Sequence, residues 1–281
     1  MSLACIVTFT AHSKHMSNVY YSDYLQLDKI LGAQEPESDK IGKDAHDEML
    51  FIVVHQAYEL WFKQILHEVG SVMNILKKPA INDNSPELQL VAHRLHRTVE
   101  VLKLLIQQID VIETMTPLDF MDFRDLLRPA SGFQSMQFKI IEAKLGLKME
   151  ERFGKSYYTS QLRDEDRLKI EALDGQETLF DLVGEWLERM PFFDDNSLWG
   201  NMDQSGDDHP FWTAYRDAYA STLLETEAQN LEYFDNVMMS EREGRKLSLK
   251  ARRSALFIML YRGYPVLSLP YRVINHLLEI D

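Results

Sequence analysis

The longest apolar pattern in the chain begins at Ala45 and ends near Lys77, in the run AHDEMLFIVVHQAYELWFKQILHEVGSVMNILK. Apolar and aromatic residues cover most of its helical circumference, which predicts one long helix buried inside an all-helical core. Asp47 and Glu48 in the first turn, and Lys77 and Lys78 at the end, are the charges that the helix dipole favours. We therefore expect the other elements to pack around this helix.

One polar residue, His55, lies in the most apolar part of this helix. Phe51 precedes it by four residues and Tyr58 follows it by three, so the three side chains share one face. An imidazole beside an aromatic ring on an apolar wall suits a ligand pocket. It also suits a core histidine, which spacing alone favours, because buried polar groups usually find a partner.

Helical spacing continues along most of the chain, and no Val, Ile or Thr alternation predicts a sheet. The fold class is therefore all-α. Residues 1–17 show no period and are predicted to be a flexible N-terminal arm, followed by a single helical domain over 18–281, in which 146–207 forms outer helices and loops. Further helices are predicted over 19–34, 88–113, 178–190, 210–239, 247–262 and 270–281.

Two helix starts lie close together in the stretch MTPLDFMDFRDLLRPASGFQSMQ. Thr116 supplies an N-cap hydroxyl, Pro117 fits the first helical position, and Asp119 places an acid at the third. Pro129 ends this short helix, and the Ser131-Gly-Phe-Gln sequence fits a capping box that opens the next one. These signals predict a tight, well-determined corner.

Phe120 and Arg124 are four residues apart in this corner and are predicted to share a face. An arginine held there can form bidentate hydrogen bonds with a carboxylate, which a lysine cannot do. The alternative, an ion pair with one of the chain's many acids, is favoured by sequence alone.

Tyr21 and Tyr24 project from one face of the helix predicted over 19–34. Exposed tyrosine pairs are common at protein interfaces. Spacing alone allows equally that they pack on the core of their own chain.

Composition narrows the function classes further. The net charge of −14 argues against binding to nucleic acid or to an anionic membrane surface, because both would repel an acidic protein. No apolar run reaches the length of a membrane span. The single cysteine, Cys5, allows no intrachain disulfide, so we expect a reducing, cytoplasmic location. Neither Glu-x-x-His nor His-Glu-x-x-His occurs, and no metal site is predicted from ligand spacing.

The helix predicted from Pro270 continues to Asp281 with its apolar period still running. No glycine follows, and Glu279 and Asp281 place negative charge where the helix dipole favours positive charge. We interpret this pattern as a helix cut partway.

Three stretches, HDEMLFIVVHQAYELWFKQILHE, ETMTPLDFMDFRDLLRPASGFQSMQF and YSDYLQLDKILGAQ, closely resemble the tryptophan 2,3-dioxygenase family. The resemblance covers most of residues 19–281. It implies an all-helical haem-dioxygenase bundle, a homo-oligomer expected to be a tetramer, and haem b as cofactor. The implied reaction inserts O2 across the indole C2–C3 bond of L-tryptophan and gives N-formyl-L-kynurenine, the first step of tryptophan catabolism by the kynurenine route.

The resemblance also assigns roles within the predicted pocket. His55 matches the histidine that hydrogen-bonds the indole N–H, and Phe51 matches the aromatic wall beside it and the haem. Arg124 matches the residue that holds the substrate carboxylate, and Phe120 packs nearby. Ser131 is expected close to the haem edge.

Tyr21 and Tyr24 match a pair that a neighbouring subunit lends to the substrate pocket, which implies an obligate oligomer. The family's haem-ligating histidine, in a Trp-Arg-x-x-His motif, and the Gly-rich loop after it are not among these residues, so the metal ligand is expected beyond Asp281. Two alternatives stay open. One is a related haem oxygenase or hydroxylase acting on an indole; the other, if the chain truly ends at Asp281, is a haem-free helical relative.

Overall fold

The computed structural model describes residues 18–81, 85–147, 160–195, 199, 208–241 and 244–281. Within these ranges every regular element is helical, so the predicted all-α class is confirmed. The helices are α1 Tyr21–Leu25, α2 Leu27–Leu31, α3 Glu37–Lys40, α4 Asp47–Leu76, α5 Pro86–Gln107, α6 Ile109–Ile112, α7 Pro117–Met121, α8 Met136–Leu145, α9 Asp164–Glu171, α10 Leu179–Glu188, α11 Pro210–Thr222, α12 Ala228–Met238, α13 Leu249–Leu260 and α14 Ser268–Ile280.

Short 3-10 turns connect several of these helices, at Arg124–Leu127, Gly132–Gln134, Pro191–Phe193, Glu225–Glu227 and Pro265–Leu267. None of the helices in the described ranges is long and apolar enough to cross a bilayer. The predicted arm at 1–17 lies outside the described residues, as do 148–159, 196–198 and 200–207 of the segment 146–207.

The long helix α4 confirms the strongest pattern in the sequence, but its two halves have different surroundings. Its C-terminal half enters the main core, where Ile65, Val72 and Leu76 are fully buried among side chains of α5, α10, α13 and α14. Its N-terminal half leaves Phe51 half-buried and His55 exposed. The prediction of a helix buried along its whole length is therefore wrong for the first three turns, which form the wall of a groove.

An ion pair between a buried carboxylate and an exposed arginine joins α4 to α5. Glu68 is 3% exposed and accepts hydrogen bonds from Arg97 Nη1 at 2.6 Å and from Gln64 Nε2 at 2.6 Å. A buried carboxylate needs such partners, because burying it alone costs several kcal/mol or more. α5 also packs along α14, and α8 packs against α4.

The prediction of a single helix over 210–239 is wrong, because the chain bends after Thr222 and forms two helices, α11 and α12. Near the end of α11 the hydroxyls of Ser221 and Thr222 bond back to carbonyls three residues earlier, both at 2.7 Å. Glu227 Oε2 then caps the next turn by accepting from Leu224 N at 3.0 Å. The two helices pack together, and Arg216 makes two hydrogen bonds to Asp235 across them.

The segment 19–34 is helical as predicted, but it forms two short helices and not one. Gln26 has φ +53°, a left-handed conformation, and separates α1 from α2. Neither helix contains a buried residue. The described chain from α1 to α2 therefore lies on the surface, with its tyrosines facing away from the core.

His209 begins α11 as an N-cap that requires a neutral imidazole. Its Nδ1 accepts the Phe211 N–H at 3.2 Å, and its ring is packed against Phe193 and Trp199. Burial lowers the pKa of His209 and the Arg253 guanidinium lowers it further, although Asp208 acts in the opposite direction. A proton on this ring would remove the cap and place a second positive charge beside Arg253.

We expect the free energy of unfolding to fall as the pH is lowered from 7.5 to 5.5. The unfolded chain binds a proton at His209 near pH 6.5 whereas the folded chain resists it, so stability is full above that pH and is lost below it. Urea unfolding midpoints across this range measure the effect. The variant His209→Asn keeps a capping acceptor that does not titrate, and it should show a smaller pH dependence. An identical pH dependence in the two proteins would contradict this origin.

Candidate active site

A broad apolar groove runs between the N-terminal half of α4 and the corner formed by residues 127–135. Its volume is about 780 Å³, within the size range of small-molecule and cofactor sites. The wall on α4 includes Phe51, Ile52, His55, Tyr58, Glu59 and Phe62, and the facing wall includes Leu127, Ala130, Ser131, Gly132, Gln134 and Ser135.

Phe51 and His55, which line the groove, belong to an aromatic cluster that continues behind them with Phe120 and Phe123. The Phe51 ring centroid lies 4.1 Å from that of His55, 5.7 Å from that of Phe120 and 5.6 Å from that of Phe123. Phe123 is fully buried and meets Phe120 edge to face at 5.4 Å. Helical spacing places Phe51 beside His55, and the buried Phe123 ring supports both Phe51 and Phe120.

The side chain of His55 is exposed, so the interpretation as a core histidine is wrong. Its Nδ1 lies 2.7 Å from the backbone oxygen of Phe51. A carbonyl oxygen only accepts, so in a neutral ring the proton is on Nδ1 and Nε2 keeps its lone pair. The helix therefore presents His55 as a hydrogen-bond acceptor.

Arg124 extends the aromatic cluster with a positive charge. Its Cζ lies 5.8 Å from the Phe120 ring centroid, and its side chain is exposed. Within the described part of the chain no carboxylate forms an ion pair with Arg124, so the structural ion pair considered from the sequence is not found there. The exposed guanidinium can bind an anionic group of a ligand.

The corner that faces α4 is fixed by local capping, as the sequence predicts. Thr116 and Asp119 form a reciprocal capping box at the start of α7. Ser131 Oγ accepts from Phe133 N at 3.3 Å, while Gln134 Oε1 accepts from Ser131 N at 3.2 Å. The predicted box at Ser131 is confirmed, although it opens a 3-10 turn before α8 begins.

The carboxylate of Glu48 in α4 holds the start of α3 at the rim of the groove. The sequence predicts this residue only as a negative charge at the start of the helix dipole. Glu48 is buried and accepts from Glu37 N at 2.8 Å and Ser38 N at 2.9 Å. Burial raises the pKa of Glu48, but these hydrogen bonds outweigh it and hold the pKa below its usual value. Glu48 therefore stays ionised and holds the segment before α4 in place.

Tyr21 and Tyr24 are not brought to the groove within one chain. Their exposed fractions are 72% and 74%, and neither ring is among the groove's lining residues. Of the predicted site residues, the structure thus places Phe51, His55 and Ser131 on the walls of one groove. Phe120 and Arg124 lie beside the groove, joined to it by the contact of Phe120 with Phe51, and the two tyrosines stay on the surface. Phe123 was missed, although its position three residues after Phe120 was a usable signal.

Among the described residues no group of three or more His, Cys, Asp or Glu side chains is arranged to hold a metal ion. The groove instead suits a flat apolar group, because most of the atoms exposed on its walls are apolar, although Glu35, Glu37, Glu48 and Glu59 also line it. Ser131 and the Phe51 ring are the residues placed to border such a group.

Comparison with known proteins agrees with this geometry. The family model for tryptophan 2,3-dioxygenase matches residues 8–281. A tryptophan 2,3-dioxygenase from Alteromonas mediterranea is 42% identical over 95% of this chain and 79% of its own length, and one from Bdellovibrio bacteriovorus is 42% identical over 94% and 78%. A tryptophan 2,3-dioxygenase from Mus musculus is 39% identical over 93% of this chain and 68% of its own length. The chain belongs to the tryptophan 2,3-dioxygenase family.

Proposed function

We propose that this protein is a haem-dependent dioxygenase that cleaves the indole C2–C3 bond of L-tryptophan with O2 and forms N-formyl-L-kynurenine. The supporting observation is that His55 and Arg124 flank the stacked rings of Phe51 and Phe120. Among the described residues the Arg124 guanidinium has no carboxylate partner, and Nε2 of a neutral His55 is left as an acceptor. L-Tryptophan carries the complementary groups, an indole N–H donor and a carboxylate, joined by an apolar ring. Family membership supports the same reaction.

The proposed cofactor of this groove is haem b, for which Phe51 would form part of the wall and Ser131 would lie near the haem edge. When bound, haem supplies the activation of O2, which no amino-acid side chain can provide. The polypeptide then contributes substrate binding, orientation and exclusion of water.

Each of the three main residues has a separate task. Arg124 binds the substrate carboxylate through its paired N–H donors. Phe51 packs against the indole ring, and His55 Nε2 accepts the indole N–H. Because an indole N–H is a very weak acid, this hydrogen bond steers the ring, and His55 is not required as a strong base. Holding the ring in one pose increases the rate, because the substrate no longer loses orientational freedom during the reaction.

The direct test is product analysis. The haem-loaded protein, given L-tryptophan, O2 and a reductant, should produce N-formyl-L-kynurenine containing both atoms of labelled O2. A hydroxylated indole with one labelled atom would identify the alternative oxygenase instead. Absence of any oxygenated product from haem-loaded protein would contradict both.

Replacing His55 with alanine should lower kcat only moderately, by about tenfold, because the lost interaction is one steering hydrogen bond. The haem absorption spectrum should be unchanged. The exposed His93, outside the groove, provides the control variant His93→Ala. Loss of haem from His55→Ala would instead show that this imidazole ligates the iron, because a backbone carbonyl on Nδ1 is also typical of metal-bound histidine.

We propose further that the protein is a homo-oligomer, expected to be a tetramer, in which Tyr21 and Tyr24 complete a neighbour's pocket. Exposed apolar side chains on and next to α1 and α2, including Tyr20 just before α1 and Leu31 at the end of α2, support this proposal, since such patches often mark interfaces. Light scattering at micromolar concentration should show an oligomer. The double variant Tyr21→Ser, Tyr24→Ser should weaken tryptophan binding, and a stable wild-type monomer would refute the proposal.

A further inference from the structure

One side chain joins the two walls of the groove. Gln137, the second residue of α8, donates from Nε2 to the backbone oxygen of Glu59 at 2.7 Å and to Glu59 Oε2 at 2.8 Å. The two residues are 78 positions apart in the chain, and the contact is partly buried. Both amide hydrogens of Gln137 are therefore used on a single residue of α4.

Glu59 lies on the functional face of α4. Phe51, His55 and Glu59 follow one another at intervals of four residues, so their side chains form one row along the groove. The Glu59 carbonyl also belongs to the helical hydrogen-bond ladder, so its position moves with the helix that carries His55. A bond to this carbonyl is a bond to the backbone of the His55 wall.

Gln137 is equally tied to the opposite wall. It lies two residues after Ser135, the end of the corner segment 131–135, and Gln134 and Ser135 line the groove from that side. Gln134 Nε2 also bonds to the backbone oxygen of Gln161 at 3.1 Å, which anchors the far side of the corner. The Gln137–Glu59 contact therefore links the corner to the helix that carries His55.

We propose that Gln137 is a positioning residue: through Glu59 it fixes the 131–135 corner against the His55 face of α4 and so sets the pose of the indole ring. This role rests on the proposed dioxygenase function. Apolar packing of α4 on α8, such as the Phe62–Phe138 contact at 5.5 Å between ring centroids, holds the helices together but is not directional. The two hydrogen bonds add the directional constraint, because their strength falls steeply when the helices slide.

The test compares Gln137→Leu, which keeps a similar volume but cannot donate, with the wild type. We expect kcat/KM for L-tryptophan to fall by about tenfold, because a small displacement of a positioned substrate has a large effect on rate. The preference for L-tryptophan over 1-methyl-L-tryptophan, whose ring nitrogen has no hydrogen to donate to His55, should also shrink. Amide hydrogen exchange at Gln134 and Ser135 should become faster.

Two further variants separate positioning from simple stability. Gln137→Glu sets two carboxylates against each other and should be the most impaired, whereas combining it with Glu59→Gln restores a donor and an acceptor across the helices and should recover part of the lost kcat/KM. The matched control is Gln176→Leu, because the Gln176 amide also donates to a backbone oxygen, that of Ala172, but outside the groove. It should leave all readouts unchanged.

A loss of kcat/KM that is equal for both substrates would overturn the positioning role and leave Gln137 a structural residue. Unchanged amide exchange in Gln137→Leu would overturn the contact itself as a constraint. If the wild-type protein forms no N-formyl-L-kynurenine, the proposed function fails, yet the exchange measurement still decides whether Gln137 fixes the corner.

Discussion

Replacing Arg124 with leucine is expected to raise the KM for L-tryptophan by about 100-fold or more, since a charge-assisted, two-pronged hydrogen bond to a carboxylate is lost. The guanidinium has no carboxylate partner in the described part of the chain, so its removal leaves no buried acid unpaired and the fold should persist. Arg124→Lys should be intermediate, because an ammonium keeps the charge but not the planar pair of donors.

Steady-state kinetics and an optical titration of the haem-loaded protein with L-tryptophan measure this effect. Tryptamine, which lacks the carboxylate, should bind wild type and Arg124→Leu with similar affinity. The control is Arg167→Leu, because Arg167 lies on α9 and pairs there with Asp164 and Glu171. A KM for L-tryptophan within threefold of wild type would mean that another group binds the carboxylate.

Local signals in the sequence predicted the ends of several elements well. The caps at Thr116 and Ser131 are present because each joins residues three positions apart, and such interactions need no knowledge of the rest of the fold. The start and end of α4 were also predicted to within two residues, since charge at its ends and apolar periodicity within it agree. Consistency of this kind makes an element predictable.

The bend between α11 and α12 could not be predicted in the same way. Residues 210–239 have helical spacing throughout, and the break depends on hydroxyls that bond back to the backbone and on the Arg216–Asp235 pair. That pair forms only when the helices lie side by side. Long-range contacts therefore overrode local propensity, which is a weak prior.

Periodicity placed the site residues on shared faces but could not distinguish a core from a pocket wall. Phe51 and His55 were correctly predicted to be neighbours, yet the same apolar pattern suggested complete burial. Whether a face is covered depends on distant segments, here the corner at 127–135. Only the resemblance to a family predicted that the two walls of the groove face each other, because no rule of sequence spacing relates residues about 80 positions apart.

Phe123 was not predicted from the sequence as a core residue. Its replacement is the change for which we expect the largest effect on stability. Its side chain is fully buried and supports Phe51 at 5.6 Å and Phe120 at 5.4 Å. Replacing it with alanine should lower the free energy of unfolding by about 3–5 kcal/mol, because both the transfer energy and the cavity contribute. Phe123→Leu should cost less, since it leaves a smaller void.

Urea unfolding followed by tryptophan fluorescence measures this loss, with Tyr233→Ala as the control because Tyr233 is 68% exposed. The control should change stability by no more than about 0.5 kcal/mol. A loss of about 3 kcal/mol is a large share of the roughly 5–15 kcal/mol that stabilises a typical protein. Phe123→Ala should therefore also weaken tryptophan binding below the unfolding midpoint, since the Phe51 and Phe120 rings lose their common support. If stability falls but tryptophan affinity does not, the aromatic cluster is held by α4 and α7 alone.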